Sequence, residues 1–305
     1  MRLGMLARVD ESELTLLKGL GLRCFQWVRF GQSPSAAAGS DWCSEAERAR
    51  ELWAGLSIRC SAIAAHYANP LDPTQREECQ RLFRRAVEVA AHLAIPVVSA
   101  FPGAVINPVV NPRGGNPVYH STTADIPKLL EFWGPLAQQA EQAGVRIAFE
   151  HCPQGLHHLS VMGYNFFGQP AMWEAFFNDC PYSNIGIEWD AAHLICQGID
   201  PLENLRMFGS KVFHVHAKDA WIDHSLMKRY GICHPGVAEH RFPGLGQSDW
   251  AQILHHLIRS GYTHDLNIEG WHDPVYRDHP GGLQLETTGM LIARKTLEPL
   301  LIPEP

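Results

Sequence analysis

The chain has 305 residues, of which 46% are hydrophobic and 19% charged, with a formal net charge of -7. That apolar content excludes a disordered chain, and the acidic balance, without any Lys/Arg-rich run, argues against a nucleic-acid binder. No stretch reaches the roughly 20 apolar residues of a membrane helix. The opening MRLGMLARVDESELTLL lacks a basic segment followed by an apolar run, so no secretion signal and a cytoplasmic location are expected.

One rhythm repeats in chain order. A strand is predicted at Leu3–Ala7 and a helix at Ser12–Leu20. The pairs that follow are Leu22–Val28 with Ser44–Gly55, Ile58–His66 with Pro73–Leu93, and Pro96–Ala100 with Ala124–Gly144. After them come Arg146–His151 with Pro170–Cys180, Ile185–Asp190 with Pro201–Gly209, Val212–His216 with Ser248–Gly261, and Leu266–Glu269 with Gly282–Leu297. Gly21, Gly144 and Gly261 stand where helices should end. Asp72-Pro73 and Asp200-Pro201 have the form of N-caps followed by proline in the first turn. Eight strand–helix alternations imply an α/β fold with a parallel sheet, and both a closed (β/α)8 barrel and an open doubly wound sheet fit. The absence of G-x-G-x-x-G after the first strand weakens the dinucleotide-binding form of the second. With no linker or composition shift, residues 1–305 read as one domain. Two long stretches, Gly103–Thr123 and Trp221–Gly246, read as irregular loops over the C-terminal rim. The eight cysteines form no C-x-x-C pair, so they are expected to be mostly buried free thiols rather than a thiolate metal site.

Apolar strands finish in polar residues. IAFEHCP carries Glu150, IGIEWDAAHL carries Glu188, Asp190 and His193, VFHVHAKDA carries His214, His216, Lys218 and Asp219, and LNIEGWHDP carries Glu269 and His272. In a barrel these ends share one face. Carboxylates gathered there would repel one another unless a cation joined them. Three carboxylates and one imidazole suit Mn²⁺, Mg²⁺ or Co²⁺, with zinc also compatible. Alternation along a strand pairs Glu188 with Asp190 and His214 with His216, and the member nearer the rim is the expected ligand. Lys218 and Asp219 read either as an ion pair with each other or as part of the chemistry. Trp27, Trp189, Trp221 and Trp271 stand at or just beyond strand ends, where flat rings could wall a sugar pocket; for Trp189 barrel packing is the better reading.

These motifs resemble the xylose-isomerase-like barrel superfamily, in particular its sugar isomerase/epimerase branch. The likeness rests on Glu150, the D-x-x-H of Asp190 and His193, the H-x-K-D of His216 to Asp219, PGLGQSDW at Pro243 to Trp250, and Glu269. It implies a single (β/α)8 TIM barrel with one divalent metal, manganese foremost, held by Glu150, Asp190, His216 and Glu269. Glu150 and Glu269 would double as the catalytic acid/base pair. His66, His193, Arg241, Lys218 and Trp271 are the expected substrate-side residues. The implied partner is a small sugar or keto-sugar, with no nucleic acid or membrane, and homo-oligomers are expected in this branch. Two positions depart from the ketose 3-epimerases of the superfamily. Leu156 stands where they carry a second glutamate, and Ile222 where they carry an arginine that Arg241 would have to replace.

The expected reaction is proton abstraction beside a carbonyl through a metal-stabilised enediolate, giving isomerisation or epimerisation. The alternatives are a lyase or dehydratase acting on a keto-inositol or 3-keto sugar, and a sugar-binding barrel without catalysis. An abasic-site endonuclease, also found in this superfamily, is disfavoured by the acidic balance.

Overall fold

The computed structural model describes every residue except 38, 40, 67, 108–117, 120, 154–164 and 304–305. Eight parallel strands form its main sheet: β1 Leu3–Ala7, β2 Cys24–Trp27, β3 Arg59–His66, β4 Val97–Ala100, β5 Arg146–Glu150, β6 Ile185–Asp190, β7 Val212–Ala217 and β8 Leu266–Ile268. They hydrogen-bond in chain order and close from β8 onto β1, a (β/α)8 barrel. The helices are α1 Glu11–Gly19, α2 Trp42–Ala54, α3 Arg76–His92, α4 Ile126–Gln142, α5 Pro170–Asp179, α6 Ala191–Ile195, α7 Pro201–Phe208, α8 His224–Tyr230, α9 Trp250–Arg259 and α10 Glu286–Leu297. Among the described residues no helix is long and apolar enough to cross a membrane.

Packing density divides the chain into two compact units. The first comprises Met1–Trp27, Glu51–Ser61 and Trp189–Pro305, the second Val28–Arg50 and Ala62–Glu188.

In the first unit, β1 pairs with both β2 and β8, with Gly4 opposite Cys24 and Asn267. A Cβ on Gly4 would overlap the Cys24 carbonyl, so this close approach requires glycine. Strand β2 shows the period-two logic. Phe25 and Trp27 pack edge-on against Trp53 at 5.5 and 5.9 Å, while the alternate residues Cys24 and Gln26 are fully buried on the other face. Helix α9 starts where the Asp249 side chain accepts from the Gln252 amide, and it buries Ile253, Leu254 and Leu257 at helical spacing. Asp200 caps α7 through the Leu202 and Glu203 amides, as its sequence suggests.

In the second unit, β4 pairs with β3 and β5, and β5 with β6. Its core is aromatic. Trp133 meets Phe83, Phe132 and Phe149 at 4.7–5.1 Å, and Phe149 also touches Phe167 at 5.1 Å. Burying each such ring contributes about 1.5–3 kcal/mol. The stack fixes the outward face of β5, so the next residue, Glu150, faces inward.

Several expectations change. Asp72 does not cap α3, which begins at Arg76. Its carboxylate instead accepts from the Thr74 amide and hydroxyl and the Gln75 side chain, closing a turn before the helix. The stretch 221–246 is not irregular. It holds α8 and a strand, Ala238–Arg241, paired antiparallel with Asp219–Ile222. In 103–123, Ile106–Asn107 and Val118–Tyr119 pair, and the residues between them, 108–117, lie outside the described set. All eight cysteines are free, but only Cys24, Cys60, Cys79 and Cys196 are buried, and Cys43 and Cys233 are exposed.

Candidate metal centre

Three of the expected ligands lie in the first unit, at the ends of β6, β7 and β8, and all are buried: Asp190, which interacts electrostatically with the other two, His216 and Glu269. His216 Nδ1 lies 2.9 Å from Glu269 Oε2. Lys218, 2% exposed, places Nζ 2.6 Å from Glu269 Oε1. The lysine therefore pairs with Glu269 and not with its neighbour Asp219.

Each of the three donors has one atom engaged by the chain itself. Asp190 is the N-cap of α6, its Oδ1 accepting from the Ala192 amide at 2.7 Å. Its Oδ2 lies 3.3 Å from His193 Nε2. This explains the D-x-x-H spacing: a cap and the residue three positions later share the first turn. His216 Nε2 lies 2.7 Å from Gln26 Oε1. An amide oxygen only accepts, so Nε2 carries the hydrogen and Nδ1 faces Glu269. Glu269 Oε1 is taken by Lys218, which leaves Oε2 toward His216.

Beneath lies a polar network. Asn267 Nδ2 donates to His214 Nε2 and to Ser61 Oγ, each at 2.8 Å, and Ser61 Oγ donates to the Phe25 carbonyl at 2.9 Å. His214 Nε2 is thus an acceptor and its hydrogen sits on Nδ1. The two histidines of β7 are held in opposite tautomers by amides on different strands.

The charge balance is uneven. Among the described residues, the Lys218 ammonium and the His216 ring both act on the buried carboxylates Asp190 and Glu269. Burial pushes the Asp190 carboxyl up to about 7, and Glu269 adds to the rise against the pull of Lys218 and His216. Burial also pushes Glu269 up, but Lys218 and His216 outweigh it and hold that carboxyl well below its ordinary value. One further cation would relieve the strain on Asp190. The donors suit a divalent ion, two carboxylates and an imidazole nitrogen with the second atom of each already tethered.

In the second unit, Glu150 is 5% exposed and stands in register beside fully buried Glu188 on β6. Asn165 Nδ2 donates to the Glu150 carbonyl at 2.7 Å and the Cys152 carbonyl at 3.1 Å, pinning the end of β5. His66 ends β3, but its side chain, like all of Leu156, lies outside the described residues.

Two aspartates organise the loops that follow the strand ends. Asp219 accepts from the amides of Ala220, Gly244 and Ser248 and from Trp250 Nε1 at 2.8–3.3 Å. It is the peg around which PGLGQSDW folds. Asp273, fully buried, accepts from the amides of Phe242, Val275 and Tyr276. It also takes Arg241 Nε at 3.3 Å, and Arg241 meets Glu239 at 3.7 Å. Between these pegs Phe242 is fully buried, and a Cβ on Gly270 or Gly289 would overlap its ring. His193 is buried, with its ring 5.4 Å from that of His240. Trp27 and Trp189 are packed inside; Trp221 is exposed, and Trp271 is half-buried with Arg277 over its ring at 5.7 Å. Sequence reasoning missed Gln26, Asn267 and Asp273. A lone amide in the apolar strand CFQW was a readable signal for the first.

The family model described as the xylose isomerase-like TIM barrel matches residues 14–293. The chain belongs to the xylose isomerase-like TIM barrel family. The chain is 26% identical over 289 residues to the uncharacterized protein YfiH of Bacillus subtilis strain 168, covering 85% of this chain and 87% of that one. Its fold is similar to a D-psicose 3-epimerase from Clostridium cellulolyticum H10 solved with D-tagatose, at TM-score 0.68 and 14% identity over 97% and 99% of the two chains. It is also similar to a xylose isomerase-like TIM barrel protein from Mycobacterium smegmatis in complex with magnesium, at TM-score 0.67 and 17% identity over 95% and 87%.

Proposed function

We propose that the protein is a divalent-metal-dependent sugar isomerase or epimerase. The observation that carries this is the buried group Asp190, His216 and Glu269, two carboxylates and an imidazole that act electrostatically on one another. Family membership and the magnesium complex and sugar epimerase among the similar folds support it. Glu150, ending the strand before β6, is the proposed fourth ligand. Manganese is the proposed ion, with magnesium next.

A divalent ion held by Glu150, Asp190, His216 and Glu269 would supply Lewis acidity for a substrate carbonyl and for the negative charge left by loss of a proton from the neighbouring carbon. The chain's own residues do the rest. One of Glu150 and Glu269 takes the proton from carbon, and the other returns one. Lys218 keeps Glu269 ionised. His193, next to Asp190, would hold a substrate hydroxyl. Return of the proton to the opposite face inverts the centre; return to the adjacent carbon moves the carbonyl.

One observation favours a second reading. Ile222 is buried where the ketose 3-epimerases of the resemblance carry arginine, and Arg241 is committed to Asp273 and Glu239. With that cation replaced by an apolar wall, loss of a β-substituent after proton abstraction becomes the competing outcome, and the enzyme would be a lyase on a keto-inositol or 3-keto sugar.

The test is elemental analysis of wild type, Glu150→Gln and Glu269→Gln, followed by a screen of sugars and keto-sugars. About one divalent ion per chain, sharply reduced in both variants, with epimers or isomers as products, is expected. Unsaturated or cleaved products would select the lyase. No ion after incubation with Mn²⁺ overturns the proposal.

A further inference from the structure

We propose that Gln26 of β2 is a positioning residue that sets which nitrogen of His216 faces the metal centre. The inference rests on the reading of His216 as a ligand, but its geometry is separate from that reading. Gln26 is fully buried. A buried primary amide costs about 1–3 kcal/mol unless its polar atoms find partners, so a glutamine in this strand needs a reason. Its neighbours show where it points. Phe25 and Trp27 face Trp53, and Gln26 faces the other way, toward β7. There its Oε1 meets His216 Nε2 at 2.7 Å, the length of a strong hydrogen bond.

An imidazole in isolation exchanges tautomers and can flip about its Cβ–Cγ axis. Gln26 removes both freedoms. With the hydrogen on Nε2 donated to an acceptor that cannot donate back, Nδ1 is the nitrogen that faces Glu269 Oε2 at 2.9 Å, and it is the nitrogen whose lone pair a metal would take. Withdrawal of that hydrogen by the amide oxygen also makes Nδ1 the more basic donor. His214, two residues earlier on the same strand, shows what the opposite partner does. It receives the nitrogen of Asn267, and its hydrogen is forced onto Nδ1. Gln26 is thus specific in chemistry as well as in shape: a donor at its position would turn His216 the other way.

The test compares wild type, Gln26→Leu and Gln26→Glu. Leucine keeps roughly the volume and removes the acceptor; glutamate keeps the acceptor. Nitrogen-15 NMR of histidine-labelled, metal-stripped protein reads the ring directly. Wild type and Gln26→Glu should show His216 Nε2 protonated, with a slowly exchanging hydrogen. In Gln26→Leu that hydrogen should exchange with solvent and the two tautomers should mix. Mn²⁺ titration by calorimetry should show about 10–100-fold weaker binding for Gln26→Leu, restored by Gln26→Glu. An unprotonated Nε2 in wild type would overturn the proposal, and this result needs neither variant to fold. So would a Gln26→Leu protein with unchanged ring signals and affinity. If wild type takes up no Mn²⁺, the metal reading fails, while the NMR comparison still decides the role of Gln26.

Discussion

Replacing Lys218 with methionine removes the ammonium that pairs with buried Glu269 and acts on buried Asp190. The side chain keeps most of its apolar stem, so packing changes little and the charge is what is tested. Lys218 Nζ sits 2.6 Å from Glu269 Oε1 and both groups are almost fully buried. Breaking a buried pair by removing one partner costs about 3–5 kcal/mol, because the remaining charge stays uncompensated. At roughly 2 °C per kcal/mol for a chain of this size, metal-stripped Lys218→Met should melt about 6–10 °C below metal-stripped wild type. Differential scanning calorimetry in excess chelator is the assay.

Two further arms make the result specific. Glu269→Gln in the Lys218→Met background removes the orphaned carboxylate, so the double variant should be more stable than Lys218→Met alone. Saturating Mn²⁺ should close most of the gap between wild type and Lys218→Met, since the ion supplies the missing charge. A melting point within about 2 °C of wild type in chelator, or additive effects of the two substitutions, would refute the charge argument.

Asp219→Asn should cost about 1.5–3 kcal/mol by weakening charge-assisted bonds, and amide exchange at Gly244 and Ser248 should accelerate while Asp190 and His193 hold. Gly270→Ala drives a methyl into Phe242 and should cost about 1–3 kcal/mol; Phe242→Leu should recover part of this in thermal melts, whereas a neutral single variant would sink the packing argument. Asp125 accepts from the Thr122 amide and pairs with Lys128, and these contacts outweigh the upward push of burial to hold its carboxyl below the ordinary value. Its contribution is present above about pH 4 and lost as pH falls through the lowered value. Asp125→Asn should therefore be destabilised at neutral pH and converge on wild type in acid, read by urea titration.

Much of this fold was legible because a parallel barrel writes itself in alternation. The apolar runs VFHVHA and IGIEWD end in polar residues, and the strand termini fell within about two residues of expectation. The ligand candidates were legible for the same reason, since a carboxylate closing a buried strand has little else to do. The capping reading of Asp72 failed because Asx-type turns and helix N-caps use the same residues with proline next. The stretch 221–246 failed because its ribbon depends on Asp219 and Gln247, contacts that no local periodicity encodes. Lys218 and Asp219 are adjacent in sequence, which suggested a pair. Lys218 follows the end of β7 and Asp219 opens the strand that pairs with Ala238–Arg241, so the chain changes sheet between them and the two serve different partners.

That change of sheet also explains why the H-x-K-D motif mixes chemistry with architecture. His216 and Lys218 both engage Glu269, while Asp219 gathers the PGLGQSDW loop. The same division holds for each donor. Asp190 gives one oxygen to a helix cap, His216 one nitrogen to Gln26, and Glu269 one oxygen to Lys218. A carboxylate or imidazole with both atoms at liberty samples several geometries, and ordering it on binding would cost side-chain entropy. With one atom tethered, the second is oriented before any ligand arrives. The tethers come from a backbone amide, a neutral side chain and a cation, so no single substitution releases all three. Gln26→Leu should loosen His216 and leave Asp190 capped, whereas Lys218→Met should loosen Glu269 and leave the His216 ring oriented.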